Sequence, residues 1–301
     1  MKKNSLHNQI VEFLSYKYDL ENASSKTKLA YLHDLLGKFL PFLEKRSIFD
    51  ASAITQKDIE DFLLEVKNHS KNGSTANMNR KLACIKSFFN FLLKRNKVKN
   101  NPASEIKSPK NHSTAISYLS EDEQVRLITT VKETATPFYR DRDLAILKLF
   151  LGTGIRVSEL INLKVKEIEF RTKGTGYIRV KRKGGDENLV PVNLKVLFAI
   201  KTYLGKRQEL KPEQYVFLSK NLQQMRQNTV YYLVKHYLHA AGIEKKKWGP
   251  HILRHTVGVT LRRRGVDIAT IQHLLGHRKL ETTSVYLNVE SQDLEKAVQL
   301  L

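Results

Sequence analysis

Apolar residues recur with the spacing of an α-helix through the first third of the chain, and this periodicity limits the possible folds most strongly. Thr55 and Asp58 resemble a capping box at the start of the third helical stretch. We therefore expect residues 1–107 to form an all-helical domain. The predicted helices are Ile10–Tyr18, Lys28–Leu43, Lys57–Val66 and Ala76–Arg95.

The sequence beyond this region predicts a second domain of a different kind. Residues 108–118 are polar and include a proline, which is typical of an exposed linker. Residues 119–301 start near Ser120 and Glu123, which have the spacing of a capping box. The predicted helices of this domain are Asp141–Leu151, which Gly152 is expected to close, then about 194–209, about 228–241 and a stretch from 251 onward.

A small antiparallel sheet is predicted within the second domain, between about residues 167 and 192. Three short segments have strand composition, and the last two flank a Lys-Arg-Lys-Gly-Gly-Asp-Glu turn. The expected fold class is therefore mainly α. It comprises an all-helical N-terminal domain and a mixed α/β, mostly helical domain with a small antiparallel sheet.

The charge balance points to a polyanionic partner. The chain has 52 Lys and Arg residues against 30 Asp and Glu residues, a formal net charge of +22. Binding to nucleic acid is favoured by such an excess, because each neutralised phosphate releases counterions. A soluble protein with a merely basic surface is the alternative.

Cysteine usage and hydropathy exclude several classes of protein. Cys84 is the only cysteine, so an internal disulfide and a cysteine-based zinc finger are excluded, and its apolar neighbours predict a buried structural thiol. We find no apolar run long enough for a transmembrane span, and the first residues lack the apolar region of a secretory signal. We expect a cytoplasmic protein with no membrane partner.

The fourth predicted helix lies in a stretch without acidic residues, between Glu65 and Glu105. A solvated helix face normally mixes charges of both signs, whereas a face of one sign favours contact with DNA or RNA. A second acid-free stretch runs from Glu244 to Asp267. The residues of the fourth helix that we predict to contact DNA are Arg80, Lys81, Lys86, Lys94 and Arg95.

Chemistry-bearing residues are concentrated between Trp248 and Asn288. His251 and Arg254 are three residues apart and should share one helix face; His277 and Tyr286 follow. Upstream, Arg156 follows a Gly-Thr-Gly turn, and Glu159, one helical turn later, is placed to steady its guanidinium. Arginine is well suited to bind a phosphodiester, because its planar guanidinium can donate hydrogen bonds to two phosphate oxygens at once.

A metal site is the alternative interpretation of the histidines. His251 and His255 are four residues apart, as are His273 and His277, so a four-histidine zinc site is conceivable. Ile252 stands where a zinc protease would need glutamate, and we identify no carboxylate or cysteine ligand nearby in the sequence. We therefore expect no metal and no other cofactor.

Four boxes in order resemble the tyrosine recombinase (phage integrase) family. They are Thr153-Gly-Ile-Arg-Val-Ser-Glu-Leu160, His251-Ile-Leu-Arg-His255, Leu274-Leu-Gly-His277 and Tyr286. The resemblance covers roughly residues 115–290, and the helical N-terminal region resembles the core-binding (SAM-like) domain of the family. The two-domain plan is most similar to the Xer-like site-specific recombinases.

The resemblance implies a role for each site residue. Tyr286 would attack the scissile phosphate to form a 3′-phosphotyrosine, while Arg156 and Arg254 clamp the non-bridging oxygens. His251 would assist proton movement and His277 would stabilise the transition state. Lys183 of the Gly-Gly turn would protonate the leaving 5′ oxygen, with Lys181 and Arg182 as neighbouring alternatives.

The implied reaction needs no ATP or metal, because a phosphotyrosine conserves the energy of the broken bond; the sequence also lacks a P-loop segment. The implied partner is a double-stranded DNA recombination site, bound by a homotetramer on two DNA sites or a heterotetramer with a related recombinase. The apolar stripe of residues 288–301 would dock on a neighbouring protomer; packing on its own domain is the alternative.

Two other functions remain open from the sequence. A type IB topoisomerase-like relaxing activity would use similar residues without partner exchange. A non-catalytic DNA-binding protein could share the same scaffold, although the complete set of expected catalytic residues argues against it.

Overall fold

The computed structural model describes residues 5–19, 25–69, 75–109, 116–170, 175–181, 187–207, 209–245 and 248–276. Their contacts group the chain into two compact units, Met1–Thr114 and Ala115–Leu301. Residues 110–115 of the predicted linker, 108–118, lie outside the described residues. Nowhere in the described ranges does a helix have the length and apolar character needed to cross a membrane.

The first unit is helical, as predicted. Its core contains the fully buried aromatic rings of Phe13, Phe39, Phe88 and Phe89. Cys84 is also fully buried, and its burial raises the pKa of the thiol, which agrees with a structural role. The helices are α1 (Ser5–Asp19), α2 (Ser25–Asp34), α3 (Leu40–Lys45), α4 (Gln56–Asn68) and α5 (Thr75–Lys94).

The second predicted helix is interrupted by one turn of π-helix, Leu35–Phe39, between α2 and α3. In this turn the Leu40 N–H donates to the Leu35 carbonyl, one residue farther back than in an α-helix. Pro41 lies just beyond, and in a regular α-helix its ring would clash with the carbonyl of Gly37. The wider turn relieves that clash.

The second unit packs helices around a three-stranded antiparallel sheet, as the fold class predicted. The strands are in the order β1–β2–β3, with Ile178 opposite both Ile168 and Val190. Alternate residues of β2 and β3 face the core. The elements are α6 (Glu121–Thr134), α7 (Pro137–Thr153), α8 (Val157–Asn162), β1 (Ile168–Phe170), β2 (Thr175–Lys181), β3 (Glu187–Asn193), α9 (Leu194–Leu204), α10 (Gln227–Ala240), α11 (Pro250–Arg263) and α12 (Ile268–Leu275).

Both predicted capping boxes are confirmed, at Thr55 and at Ser120. The prediction that Gly152 closes α7 is wrong. The helix continues to Thr153, and Gly154 is the cap, with a left-handed φ of 64° that suits glycine. Gly152 instead lies against α9, where an added Cβ would be 2.5 Å from a methyl carbon of Val196.

Candidate active site

Arg156 is held at the N-terminus of α8 by Glu159. The Glu159 carboxylate accepts hydrogen bonds from the Arg156 backbone N–H at 2.8 Å and from its Nη1 at 2.9 Å. The side chain of Glu159 is 4% exposed and that of Arg156 is 35% exposed. A buried carboxylate therefore fixes a guanidinium that still reaches solvent, and the pairing expected from the sequence is present.

Arg254 lies inside the second unit, on α11, and is 5% exposed. Its Nη1 donates to the Gly154 carbonyl at 2.6 Å, and its Nη2 donates to the Leu275 carbonyl. These acceptors lie at the C-terminal ends of α7 and α12, where backbone carbonyls lack helical partners and carry partial negative charge. The buried cation thus satisfies two helix ends at once.

The two arginines meet at the C-terminus of α12. Arg156 Nη2 donates to the Gly276 carbonyl at 2.7 Å, one residue after the carbonyl that Arg254 binds. Gly276 has a left-handed φ of 65° and ends the helix. The bonds place both guanidiniums beside the backbone at the end of α12.

His251 lies in the first turn of α11, preceded by Gly249 and Pro250. Its pKa is lowered from the ordinary value of 6.5, first by partial burial and then by the positive charges of Arg254 and Arg156. Part of the residue nevertheless remains accessible at the surface of the unit. The imidazole is therefore a neutral group at pH 7 that can accept a proton beside two guanidiniums.

Three of the predicted catalytic residues, Lys183, His277 and Tyr286, lie outside the described residues. The structure therefore brings together Arg156, His251 and Arg254 from the predicted set. Lys181, the alternative to Lys183, ends β2; its side chain is 67% exposed and its Nζ lies 3.5 Å from a carboxylate oxygen of Glu187.

The zinc alternative includes His277 and so lies partly outside the described residues. Within the described ranges, no three or more His, Cys, Asp or Glu side chains group in a way that could hold a metal ion. His255 is half-buried, whereas His273 is exposed.

The residues predicted to contact DNA lie in α5 or directly after it, and they have different environments. Lys94 and Arg95 are exposed, and the Arg95 guanidinium lies 5.5 Å from the centre of the Phe91 ring. Lys86 is half-buried, and its Nζ donates to the Ser104 carbonyl at 3.0 Å. Arg80 is exposed but bound to Asp34.

Lys81 is a buried cation. Its side chain is 6% exposed, and its Nζ lies 2.7 Å from Asp34 Oδ1. A phosphate contact would require this buried ion pair to open and leave the carboxylate with one fewer cation. The sequence-based expectation for Lys81 therefore does not fit the surface of α5, and we leave Lys81 out of the proposed DNA contacts.

Sequence reasoning missed the backbone carbonyls that hold the two arginines. These acceptors belong to Gly154, Leu275 and Gly276. A glycine just past a helix is the available signal for such a cap. At the end of α7 the sequence pattern predicted this cap at Gly152 instead of Gly154. The spacing of residues also does not indicate which side chain donates to a given backbone carbonyl.

Comparisons with known proteins identify the family. Residues 117–293 match the phage integrase family, and residues 10–96 match the N-terminal SAM-like domain of phage integrases. The tyrosine recombinase XerC of Caldanaerobacter subterraneus subsp. tengcongensis is 36% identical over 95% of this chain and 84% of that protein. The tyrosine recombinase XerA of Pyrococcus furiosus is 32% identical over 99% of this chain and 96% of that protein.

Solved structures share the fold. The XerH site-specific recombinase bound to a palindromic difH substrate has a TM-score of 0.79 and 21% identity, over 99% of this chain and 96% of that one. A lambda integrase fragment dimer bound to a COC′ core site has a TM-score of 0.70 and 18% identity, over 92% and 96% of the two chains. The chain therefore belongs to the phage integrase family of tyrosine recombinases, and its relatives include recombinases of the Xer type.

Proposed function

We propose that this tyrosine recombinase cleaves and rejoins DNA at a specific site through a 3′-phosphotyrosine formed by Tyr286, without ATP or metal. The observation that carries the proposal is the meeting of Arg156 and Arg254 at the C-terminus of α12. Two guanidiniums fixed in one place suit a phosphate whose negative charge grows in the transition state. The DNA-bound recombinases that share this fold support a DNA partner.

The first role of the two arginines would be to balance the negative charge of the phosphate. Among the described residues, Glu159 and Gly276 accept from two of the five N–H bonds of the Arg156 guanidinium, and the proposal assigns others to a non-bridging oxygen. Arg254 supplies a second positive charge from inside the unit, where weak solvent screening strengthens it. Neutral His251 would take the proton from the attacking phenol, and His277 would donate a hydrogen bond to the phosphate.

The nucleophile can be tested with a suicide DNA substrate, nicked close to the cleavage point so that the freed end diffuses away. Wild type should accumulate a covalent protein–DNA adduct on a denaturing gel. Tyr286→Phe, which keeps the ring and removes the hydroxyl, should form none. An adduct of equal yield in Tyr286→Phe would overturn the assignment. Activity in excess chelator supports the metal-free reaction, and loss restored by zinc would revive the histidine site.

The general acid has a matched test within one hairpin. Lys183→Ala should bind DNA normally and cleave slowly, and a leaving group made more acidic should restore the rate because it needs no proton donor. Lys181→Ala is the control, since its side chain is exposed and near Glu187. If rescue is seen with Lys181→Ala instead, the acid is Lys181.

We also propose that the active assembly is a tetramer on two DNA sites in the cytoplasm, joined through the tails of residues 288–301. Exchange between sites on two separate plasmids would support recombination. Relaxation of a single supercoiled plasmid without exchange would favour the topoisomerase-like alternative, and DNA binding without cleavage would favour a non-catalytic role.

A further inference from the structure

The outer face of α5 carries two polar side chains, Arg80 and Asn90, and each is hydrogen-bonded to a buried polar residue. Arg80 and Asn90 are exposed, and the exposed Ala83 and half-buried Ser87 lie between them. Steps of 100° per residue place all four on one face, about 80° wide. Short side chains between two longer polar ones allow another surface to approach closely at that point.

Arg80 is fixed by Asp34, which is 2% exposed. Both terminal nitrogens of the guanidinium bind the carboxylate, Nη2 at 2.9 Å from Oδ1 and Nη1 on Oδ2. Lys81 binds the same carboxylate, so one buried negative charge faces two positive charges. The group keeps a net positive charge, and Arg80 is its exposed member. Since the side chain is already ordered, contact with a ligand costs less conformational entropy.

Asn90 is fixed by Asn101, and here the hydrogen bonds determine which atom points outward. Asn101 Oδ1 accepts from the Ala103 backbone N–H at 2.9 Å, and Asn101 Nδ2 donates to the Lys86 carbonyl at 3.2 Å. Neither backbone group can change its role, so the Asn101 amide has one orientation. Its Nδ2 also donates to Asn90 Oδ1 at 2.7 Å. The Asn90 oxygen is thereby held towards Asn101, and the group left for a ligand is its N–H₂ donor.

We propose that Arg80 and Asn90 are specificity-determining residues that read base edges in the DNA major groove, and that Asp34 and Asn101 are positioning residues for them. The inference rests on the proposed function, since it assumes that α5 contacts the recombination site. The two readers are donors only, so they should select bases with acceptors in the major groove: guanine above all for Arg80, and a purine N7, guanine O6 or thymine O4 for Asn90.

The spacing limits where the selected bases can lie. Arg80 and Asn90 are ten residues apart, or about 15 Å along the helix axis at 1.5 Å per residue. Neighbouring nucleotides are about 3.4 Å apart along each strand. The two selected positions should therefore be no more than about five base pairs apart within each half-site.

The experiment is selection of binding sites from randomised DNA duplexes, followed by affinity measurements on the selected duplex and its single-base variants. The full chain is used in each case, with Arg80→Lys, Asn90→Ala and Asn101→Asp. Lys94→Gln is the control, because an exposed lysine of the same helix should contact only phosphate. Arg80→Lys keeps the charge and can still pair with Asp34, and Asn90→Ala leaves Asn101 its backbone partners, so both variants should fold.

Arg80→Lys and Asn90→Ala should each lose about fivefold or more discrimination at one base position and retain it elsewhere. Lys94→Gln should weaken binding to every duplex alike and lower the slope of log affinity against log salt by about 0.9. Asn101→Asp should rotate the Asn90 amide and present its oxygen, which changes the preferred base to one with a donor. A merely structural role for Asn101 would alter stability without changing that base.

Two failures are distinguishable. If wild type selects a sequence, and Arg80→Lys and Asn90→Ala select it with unchanged discrimination at every position, the inference is overturned while site-specific binding stands. If wild type binds the selected and shuffled duplexes equally, the proposed function itself fails.

Discussion

At the scale of single residues, the buried carboxylates determine how the positive charges of this chain are presented. Asp34 and Glu159 are both below 6% exposed, and each holds an arginine that reaches the surface. Because the arginine of each pair is partly exposed, we expect neither ion pair to add much to the free energy of unfolding. Their effect is on geometry, because a buried carboxylate holds the guanidinium in one orientation.

The proton affinity of His251 can be tested directly. Its pKa should lie below 6.5 because of partial burial and the charges of Arg254 and Arg156. Titration of the imidazole by NMR should give a midpoint below 6.5 in wild type and a higher midpoint in Arg156→Met. Lys206→Met, which removes a positive charge that lies beside Asp141, is the control.

The lowered pKa of His251 also predicts how the free energy of unfolding changes with pH. Between the lowered pKa and 6.5 the unfolded chain binds more protons than the folded chain. The free energy of unfolding should therefore fall as the pH decreases from 6.5 towards the folded pKa, and then level off. His251→Gln should remove this component, and a midpoint at or above 6.5 in wild type would contradict it.

Gly154 should be more sensitive to substitution than its backbone angle alone requires. An alanine there would adopt a left-handed conformation at a cost of about 1–2 kcal/mol. Its Cβ would also lie 2.6 Å from a methyl carbon of Leu275, the residue whose carbonyl binds Arg254. We expect Gly154→Ala to lose about 1–3 kcal/mol more from this overpacking, measured by urea unfolding.

Gly242→Ala is the matched control for Gly154→Ala. Gly242 has φ of 62° against 64° at Gly154, and an added Cβ would meet nothing within 4 Å. The control should show only the backbone cost of about 1–2 kcal/mol. Equal losses in the two variants would mean that the contact with Leu275 contributes nothing.

At the scale of elements, helix α11 is tied to the segment before α6 by one hydroxyl. Thr256 is 1% exposed; its Oγ1 accepts from the Leu119 backbone N–H at 2.9 Å and donates to the Ile252 carbonyl at 2.8 Å. The hydroxyl therefore holds α11 in place two residues beyond Arg254.

Removal of this hydroxyl should leave a buried N–H without its acceptor. We expect Thr256→Val, which keeps the shape, to lower the free energy of unfolding by about 1–3 kcal/mol. Thr256→Ser keeps the oxygen and serves as the control, with a smaller loss from the deleted methyl group. The prediction fails if valine is tolerated better than serine in chemical denaturation.

At the scale of the whole molecule, the two compact units suggest two domains that unfold separately. Each unit contains one confirmed capping box, at Thr55 and at Ser120. Trp248, the only tryptophan, lies in the second unit. Its fluorescence therefore reports one unit, while circular dichroism reports the helices of both.

If the two domains unfold separately, loss of either helix cap should destabilise only the domain that contains it. Thr55→Ala and Ser120→Ala should each cost about 1 kcal/mol in their own domain. In urea, the fluorescence midpoint should shift with Ser120→Ala and stay constant with Thr55→Ala, whereas circular dichroism should respond to both. A fluorescence midpoint that shifts equally with both variants would show one cooperative unit instead.

The order of charged residues along the sequence does not predict which charges are paired in the folded molecule. The acid-free stretch that contains α5 predicted a face of one sign, yet Asp34 and Glu12 from other helices pair with its cations. The acid-free stretch is real in the sequence, but charge neutralisation depends on distance in space. Of the five residues predicted to contact DNA, Arg80, Lys94 and Arg95 are exposed, Lys86 is half-buried and Lys81 is buried.

The sequence by itself determined what depends on neighbours along the chain. Helical periodicity, both capping boxes, the three strands and the Arg156–Glu159 pair each involve residues within a few positions of one another, so spacing and residue type suffice. The order of the four boxes likewise indicated the family, which the comparisons confirm.

Only the tertiary structure decided which partners meet across long stretches of sequence. The Gly154 carbonyl is 100 residues from Arg254 and the Gly276 carbonyl is 120 residues from Arg156, yet these bonds bring the two guanidiniums together. Every residue has a backbone carbonyl, so no residue type marks the ones that remain unpaired at a helix end. Which helix ends face each other is fixed by packing of the core, and a one-dimensional pattern contains no such information.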